Sequence, residues 1–204
     1  MKSFIIKNNL YLITALGVIV AIFTVINWST MPVLQRMVGL FFFAIVLHLW
    51  EEGKFPGGFT EMITDKLNFT ASNRHFGETV TASYVLFITL VPLFFPKVAF
   101  LSIAPMMLGI LEVVAHLGMI KMFNLKRFYS PGLLTSVVVL LPISVYTIAY
   151  AAQNNLMHPV SWLYSFIYMV IGLMSAQQIV VRTSGVKYTD FLKNVRATIF
   201  PKKK

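Results

Sequence analysis

The chain contains no cysteine. That single absence excludes a disulfide framework, a thiolate metal site and a cysteine nucleophile together. Charge is scarce too: 12% of the 204 residues are charged, and only seven are acidic. No Ser-, Gly- or Pro-rich linker separates two cores, so one domain is expected, with residues 1–182 as its membrane part and residues 183–204 as a basic tail. What fills the sequence is apolar. At 57% hydrophobic residues and a mean hydropathy of +0.76, a domain of this size needs lipid as part of its solvent.

Crossing a hydrocarbon core of about 30 Å takes about 20 apolar residues in a helix. Six stretches meet that requirement, at Asn9 to Trp28, Pro32 to Trp50, His75 to Phe95, Val98 to Ile120, Gly132 to Ala151 and Val160 to Val181. The fold class expected is therefore an all-α membrane protein, a bundle of about six transmembrane helices. The first run superficially resembles a signal peptide, but it is too long and lacks a small-residue cleavage site, which marks it as a retained span. Pro32 and Pro131 suit a first helical turn. Pro92, Pro105 and Pro142 fall inside spans and should bend them. The long polar connection from Glu51 to Arg74 carries a short amphipathic piece, Phe59 to Phe69. A second amphipathic stretch, Lys187 to Lys204, should form a basic surface helix on anionic lipid.

The net charge of +10 could indicate nucleic acid, but the basic residues stand at the ends of apolar runs and in the last quarter of the chain. Topology accounts for them, and no nucleic-acid partner is expected. With a cytoplasmic amino terminus, one side receives Lys2, Lys7, Lys54, Lys66, Arg74, Lys121, Lys126, Arg127, Arg182 and the six basic residues of the tail. The other side receives Lys97, while Arg36 sits near the outer end of the second span. This asymmetry places both termini in the cytoplasm.

The four histidines and seven acids are the residues with chemistry to offer, and most fall in three short clusters. His48-Leu49-Trp50-Glu51-Glu52 closes the second span, with His48 on one helical face with Glu51 and Glu52. His75 and Glu78, three apart, open the third span. Glu112 and His116, four apart, share a face of the fourth. Glu112 lies roughly 13 Å along the axis from Lys121, inside the bilayer in its cytoplasmic half. All three clusters thus fall on one side of the membrane, although the topology rests on lysine and arginine alone. A carboxylate in lipid requires a partner or a proton, and carboxylates meeting imidazoles between helices are how metal sites are built in bundle cores. His48, His75, Glu112 and His116 are the candidate metal ligands, and Glu51, Glu52 and Glu78 the candidate catalytic acids or bases. A divalent metal is implied, zinc ahead of a di-iron pair, since both bind without cysteine. Solvation by headgroups at helix ends and an intramembrane structural hydrogen bond are the plainer alternatives. Tyr129-Ser130-Pro131-Gly132 reads as a turn and helix start with Ser130 as its cap, or as a hydroxyl delivered to the clusters. His158 reads as a helix-boundary residue.

The string His48-Leu49-Trp50-Glu51-Glu52 resembles the signature of the HXXEE family of integral membrane proteins, and the resemblance runs from about Pro32 to Val139. That family has no assigned reaction, so the resemblance groups these residues without giving them a chemistry. Glu51-Glu52 is also similar to the paired acids of membrane-embedded CAAX-type proteases, but Lys54, Phe55 and Pro56 stand where that pattern has an arginine. The histidine-rich membrane hydroxylases and desaturases need more histidines than this chain holds.

The expected function is an intramembrane metal-dependent enzyme, a hydrolase or transferase acting on a lipid or lipid-modified substrate at the cytoplasmic leaflet. The alternatives are a metal-ion or proton-coupled carrier, a metal-free Glu/His membrane protease, and a structural membrane subunit.

Overall fold

A backbone in hydrocarbon must satisfy its own hydrogen bonds, and a helix does so within one segment. In a computed structural model, which describes residues 2–67 and 74–200, the chain accordingly forms helices and, among those residues, no strand. In chain order they are α1 (Lys2–Lys7), α2 (Asn9–Ile26), α3 (Val33–Gly53), α4 (Phe59–Lys66), α5 (Arg74–Phe94), α6 (Ala99–Met122), α7 (Leu133–Thr135), α8 (Leu141–Gln153), α9 (Pro159–Thr183) and α10 (Tyr188–Ile199). A π-helical segment, Ser136–Leu140, joins α7 to α8.

Among the described residues, six helices are long and apolar enough to cross a membrane: α2, α3, α5, α6, the α7–π–α8 unit and α9. Their bounds fall within a few residues of those expected from hydropathy. The chain is a multi-pass membrane protein. Asn73, the end of the Phe59 to Phe69 piece, the Arg74 side chain and the terminal Pro201-Lys202-Lys203-Lys204 lie outside the described residues.

The two central helices are α3 and α6, with 61% and 50% of their apolar windows buried, against 17–33% for the other four spans. Helix α3 packs against α2, α5, α6 and α8. Phe41, Phe42, Val38 and Met106, all fully buried, fill the space between these helices. The α2–α3 contact is close because Gly39 offers no side chain: a Cβ there would collide with Thr24 Oγ1. Small residues of this kind let membrane helices approach without a hydrophobic driving force.

The prolines act at different points. Pro92 and Pro105 are carried inside α5 and α6. Pro142 sits at the start of α8, directly after the π-helical segment. Proline has no N–H for the carbonyl four residues back and its ring crowds that carbonyl. The wider π turn accommodates both defects, and such turns recur at functional sites. At the far end of the bundle Arg36 stacks over Trp28, 5.3 Å from the ring centroid, and its Nε donates to the Met31 carbonyl at 2.8 Å. Helix α10 buries Phe191 in a small cluster with Val181, Met119, Phe123 and Leu67, against which α4 also packs.

Candidate metal centre

All three His/Glu clusters lie at the same end of the bundle, where α3 and α6 finish and α5 and α7 begin. The structure brings two of the clusters together. His48, in the last turns of α3, and His116, in the last third of α6, are both fully buried, and their rings meet edge to face with centroids 5.2 Å apart. His48 Nε2 lies 3.6 Å from Glu52 Oε1 and 3.8 Å from Glu112 Oε2. His116 Nε2 lies 3.5 Å and 3.8 Å from the same two oxygens. The i,i+4 spacing of His48 with Glu52 and of Glu112 with His116 puts one of each residue type on each helix, facing the other.

The opposite side of each imidazole is held by a hydroxyl. Thr135 Oγ1 donates to Glu51 Oε2 at 2.6 Å, so toward His48 Nδ1, 3.0 Å away, it acts as acceptor. Ser130 Oγ donates to the His116 carbonyl at 3.2 Å and accepts from His116 Nδ1 at 3.1 Å. Both rings are thereby assigned the Nδ1–H tautomer, and both Nε2 lone pairs point at the two carboxylate oxygens. Holding the remote ring nitrogen is how proteins orient metal-ligating histidines.

The four gaps are too long for good hydrogen bonds, and His116 Nε2 is a buried nitrogen with no hydrogen-bond partner. They are close to the spacing of atoms around a shared ion. Tetrahedral ligands at 2.0–2.2 Å from zinc are ~3.4 Å apart. His48, Glu52 and His116 each offer one ligand atom within 4.8 Å of the others, and Glu112 stands beside them. The donor set, two imidazoles and two carboxylates, suits zinc or non-haem iron.

Gly132 closes the site from the start of α7. Its φ of +102° lies in the left-handed region, and a Cβ on it would stand 2.5 Å from His116 Cε1, 2.6 Å from His116 Nε2 and 2.8 Å from His48 Cε1. Glycine is thus required twice over, by conformation and by the two rings. Phe59 of α4 covers the other side of His116, with ring centroids 5.5 Å apart.

Four residues stand elsewhere than expected: Glu51, His75, Glu52 and Ser130. Glu51 does not face the two imidazole Nε2 atoms. Its carboxylate accepts the Leu134 amide at 3.1 Å, the Thr135 amide at 2.7 Å, the Thr135 hydroxyl at 2.6 Å and the Tyr129 hydroxyl at 2.7 Å. It therefore caps the amino terminus of α7 from another helix, a placement that also complements the helix dipole. Burial, together with the bond to Glu51, pushes the Tyr129 phenol above its ordinary range. His75 is not among the grouped ligands: it is half exposed and pairs with Glu78, Nδ1 to Oε2 at 3.2 Å. Glu52, expected as an acid or base, is the carboxylate grouped with His48 and His116 in an arrangement that could hold a metal ion. Ser130 is no helix cap. It supports His116, while Gly132 occupies the cap position with no side-chain cap bond. Thr135 and Gly132 are site residues that sequence reasoning missed, because a threonine and a glycine in an apolar run carry no cost signal of their own.

Glu52 also lines a cavity of about 420 Å³, bounded by Lys7, Leu10, Leu49, Lys54, Phe59, Ile63, His75, Glu78 and others. His75 and Glu78 thus share a chamber with the buried cluster without joining it.

A bundle of six membrane-crossing helices with two histidines and two glutamates converging between its two most buried members defines the class: a polytopic helical membrane protein with an intramembrane His/Glu centre. A family model described as a protein of unknown function with HXXEE motif matches residues 39–147, just over half of the sequence. The chain belongs to the HXXEE family, and the lettered positions of that motif fall on His48, Glu51 and Glu52. No curated protein and no solved structure matches it.

Proposed function

We propose that the chain is an intramembrane metal-dependent enzyme, a hydrolase or transferase acting on a lipid or lipid-modified substrate at the cytoplasmic leaflet. The observation that carries this reading is the orphaned, buried His116 Nε2 facing Glu52 and Glu112 beside His48. His48, Glu52, His116 and Glu112 would hold the ion, and zinc suits their geometry and hydrolytic chemistry. Such an ion, when bound, supplies Lewis-acid activation of water and of the scissile group.

The remaining steps belong to the protein. Thr135 and Ser130 fix the imidazole orientation from the far side of each ring. Gly132 and Phe59 limit access to the buried face, so water approaches from the cavity that the largely buried Glu52 lines. Glu78 holds the Nδ1 proton of His75, leaving His75 Nε2 to exchange protons with whatever occupies that cavity. A site at the end of the spans, open to an apolar-walled chamber, suits a substrate already resident in the membrane. With the positive-inside pattern, that end is cytoplasmic.

The test is reconstitution in liposomes, with and without metal, while lipid composition is followed by mass spectrometry. Metal-dependent conversion that disappears in His116→Ala supports the enzyme. Metal movement across the bilayer with no lipid altered would identify a carrier instead.

A further inference from the structure

We infer that the 420 Å³ cavity beside Glu52 seats an amphiphile with an anionic head, a phosphate or carboxylate, held between Lys7, Lys54 and the metal centre. The inference rests on the proposed metal site and names the class of substrate that reaches it.

The walls come from several elements of the fold. Leu10 and Tyr11 of α2, Leu49 of α3, Phe59 and Ile63 of α4, Ala82 of α5 and Val180 of α9 provide an apolar lining. The volume falls within the range of about 300–1,000 Å³ typical of small-molecule sites. An apolar lining alone would suit any hydrocarbon. The ionic groups on the same wall narrow the choice.

Those groups are Glu52, Glu78, His75, Lys7 and Lys54. Glu52 faces the two buried imidazoles, and Glu78 is paired with His75. A divalent ion held there would balance Glu52 and Glu112. Lys7, the last residue of α1, and Lys54, which follows α3, are exposed and make no ion pair among the described residues. Against Glu78, the one carboxylate on this wall that such an ion would not balance, the two lysines leave the chamber an excess of positive charge. At the mouth of a partly open, apolar-walled chamber, like-signed charges raise the local concentration of the opposite sign. An anionic head drawn to the two lysines would stand next to Glu52 at the edge of the centre, with its chain along the apolar wall.

The probes are lysophosphatidate, the monoacylglycerol of the same chain, and inorganic phosphate. Each is presented to the metal-loaded full chain in nanodiscs, and retention is counted by native mass spectrometry with metal content read in the same spectra. The expected result is at least tenfold greater retention of lysophosphatidate than of monoacylglycerol. That preference should fall to near unity in the Lys7→Gln, Lys54→Gln double variant with metal content unchanged. Thr81→Trp, at an exposed position on the cavity wall, and Thr60→Trp, on α4 in the same lining, should each reduce retention of the amphiphile by obstruction.

Equal retention of the charged and neutral amphiphiles at full metal content would overturn the inference. So would a preference that survives both tryptophans, since the head would then bind on the outer basic surface. Complete displacement of lysophosphatidate by equimolar inorganic phosphate would also overturn it, by showing a site for the free anion. A headgroup preference in a parent chain that takes up no metal would sink the metal reading alone, and would still support the cavity as the seat of the anionic head.

Discussion

The Glu51 carboxylate grips Thr135 at two points, accepting its amide at 2.7 Å and its hydroxyl at 2.6 Å. Through that hydroxyl the grip extends to His48 Nδ1. One carboxylate therefore anchors the start of the fifth span to the end of the second and fixes the ring that faces Glu52. The two adjacent glutamates of the family motif divide the labour, one facing the backbone of α7 and the other facing the imidazoles.

Replacing Glu51 with alanine strips two backbone amides and two hydroxyls of their acceptor. Hydrogen bonds to a charged group are worth about 1.5–3 kcal/mol each, and they are not additive. Glu51→Ala should destabilise the protein by about 3 kcal/mol, seen as a lower melting temperature in detergent. Glu51→Gln should lose less, because one side-chain oxygen still accepts. An unchanged melting temperature in Glu51→Ala would remove the helix-capping role.

Thr135→Val keeps the shape of the side chain and deletes the hydroxyl beneath His48. Loss of such a supporting partner costs about 10–100-fold in metal affinity. Competition against a chelator should show that weakening in Thr135→Val and near-native affinity in Thr135→Ser. Equal affinities for the two would mean that the hydroxyl does not orient His48.

Gly132→Ala combines backbone strain of about 1–3 kcal/mol with a methyl group pressed onto both imidazoles. It should lower stability and abolish metal uptake. Gly185 also has a positive φ, +78°, but open space around it, so Gly185→Ala should cost stability while leaving metal content intact. A Gly132→Ala protein that binds metal normally would contradict the placement of that glycine.

His75→Ala and Glu78→Gln separate the exposed pair from the buried cluster. Both variants should retain the full metal content of the parent, measured by elemental mass spectrometry, while slowing any lipid conversion that the parent catalyses. Loss of metal in His75→Ala would return His75 to the ligand set.

The spans were legible because twenty apolar residues in a row have one outcome in lipid. His48, Glu112 and His116 were legible for the converse reason, that ionisable groups in such a run must find partners. The division between Glu51 and Glu52 was not. Successive residues on a helix point about 100° apart, and which direction meets the neighbouring helix depends on the order of helices around the bundle, which spacing does not carry. His75 shows the same limit: its spacing to Glu78 matches the other clusters, yet α5 presents the pair to the cavity wall. The hydroxyls of Ser130 and Thr135 gained their roles from a turn that folds them under the two imidazoles. The π-helical segment had only Pro142 to signal it.

If His48, Glu52, His116 and Glu112 hold one metal ion, the purified protein carries it and loses it when any of these side chains is removed. The most direct test is the metal content of the purified protein beside His48→Ala, Glu52→Gln and His116→Ala variants, with folding matched by circular dichroism and metal offered back to each. One equivalent of zinc or iron in the parent, lost together in all three variants, is the predicted result. A parent that is free of metal and takes none up, or variants that keep the parent's content, would contradict it.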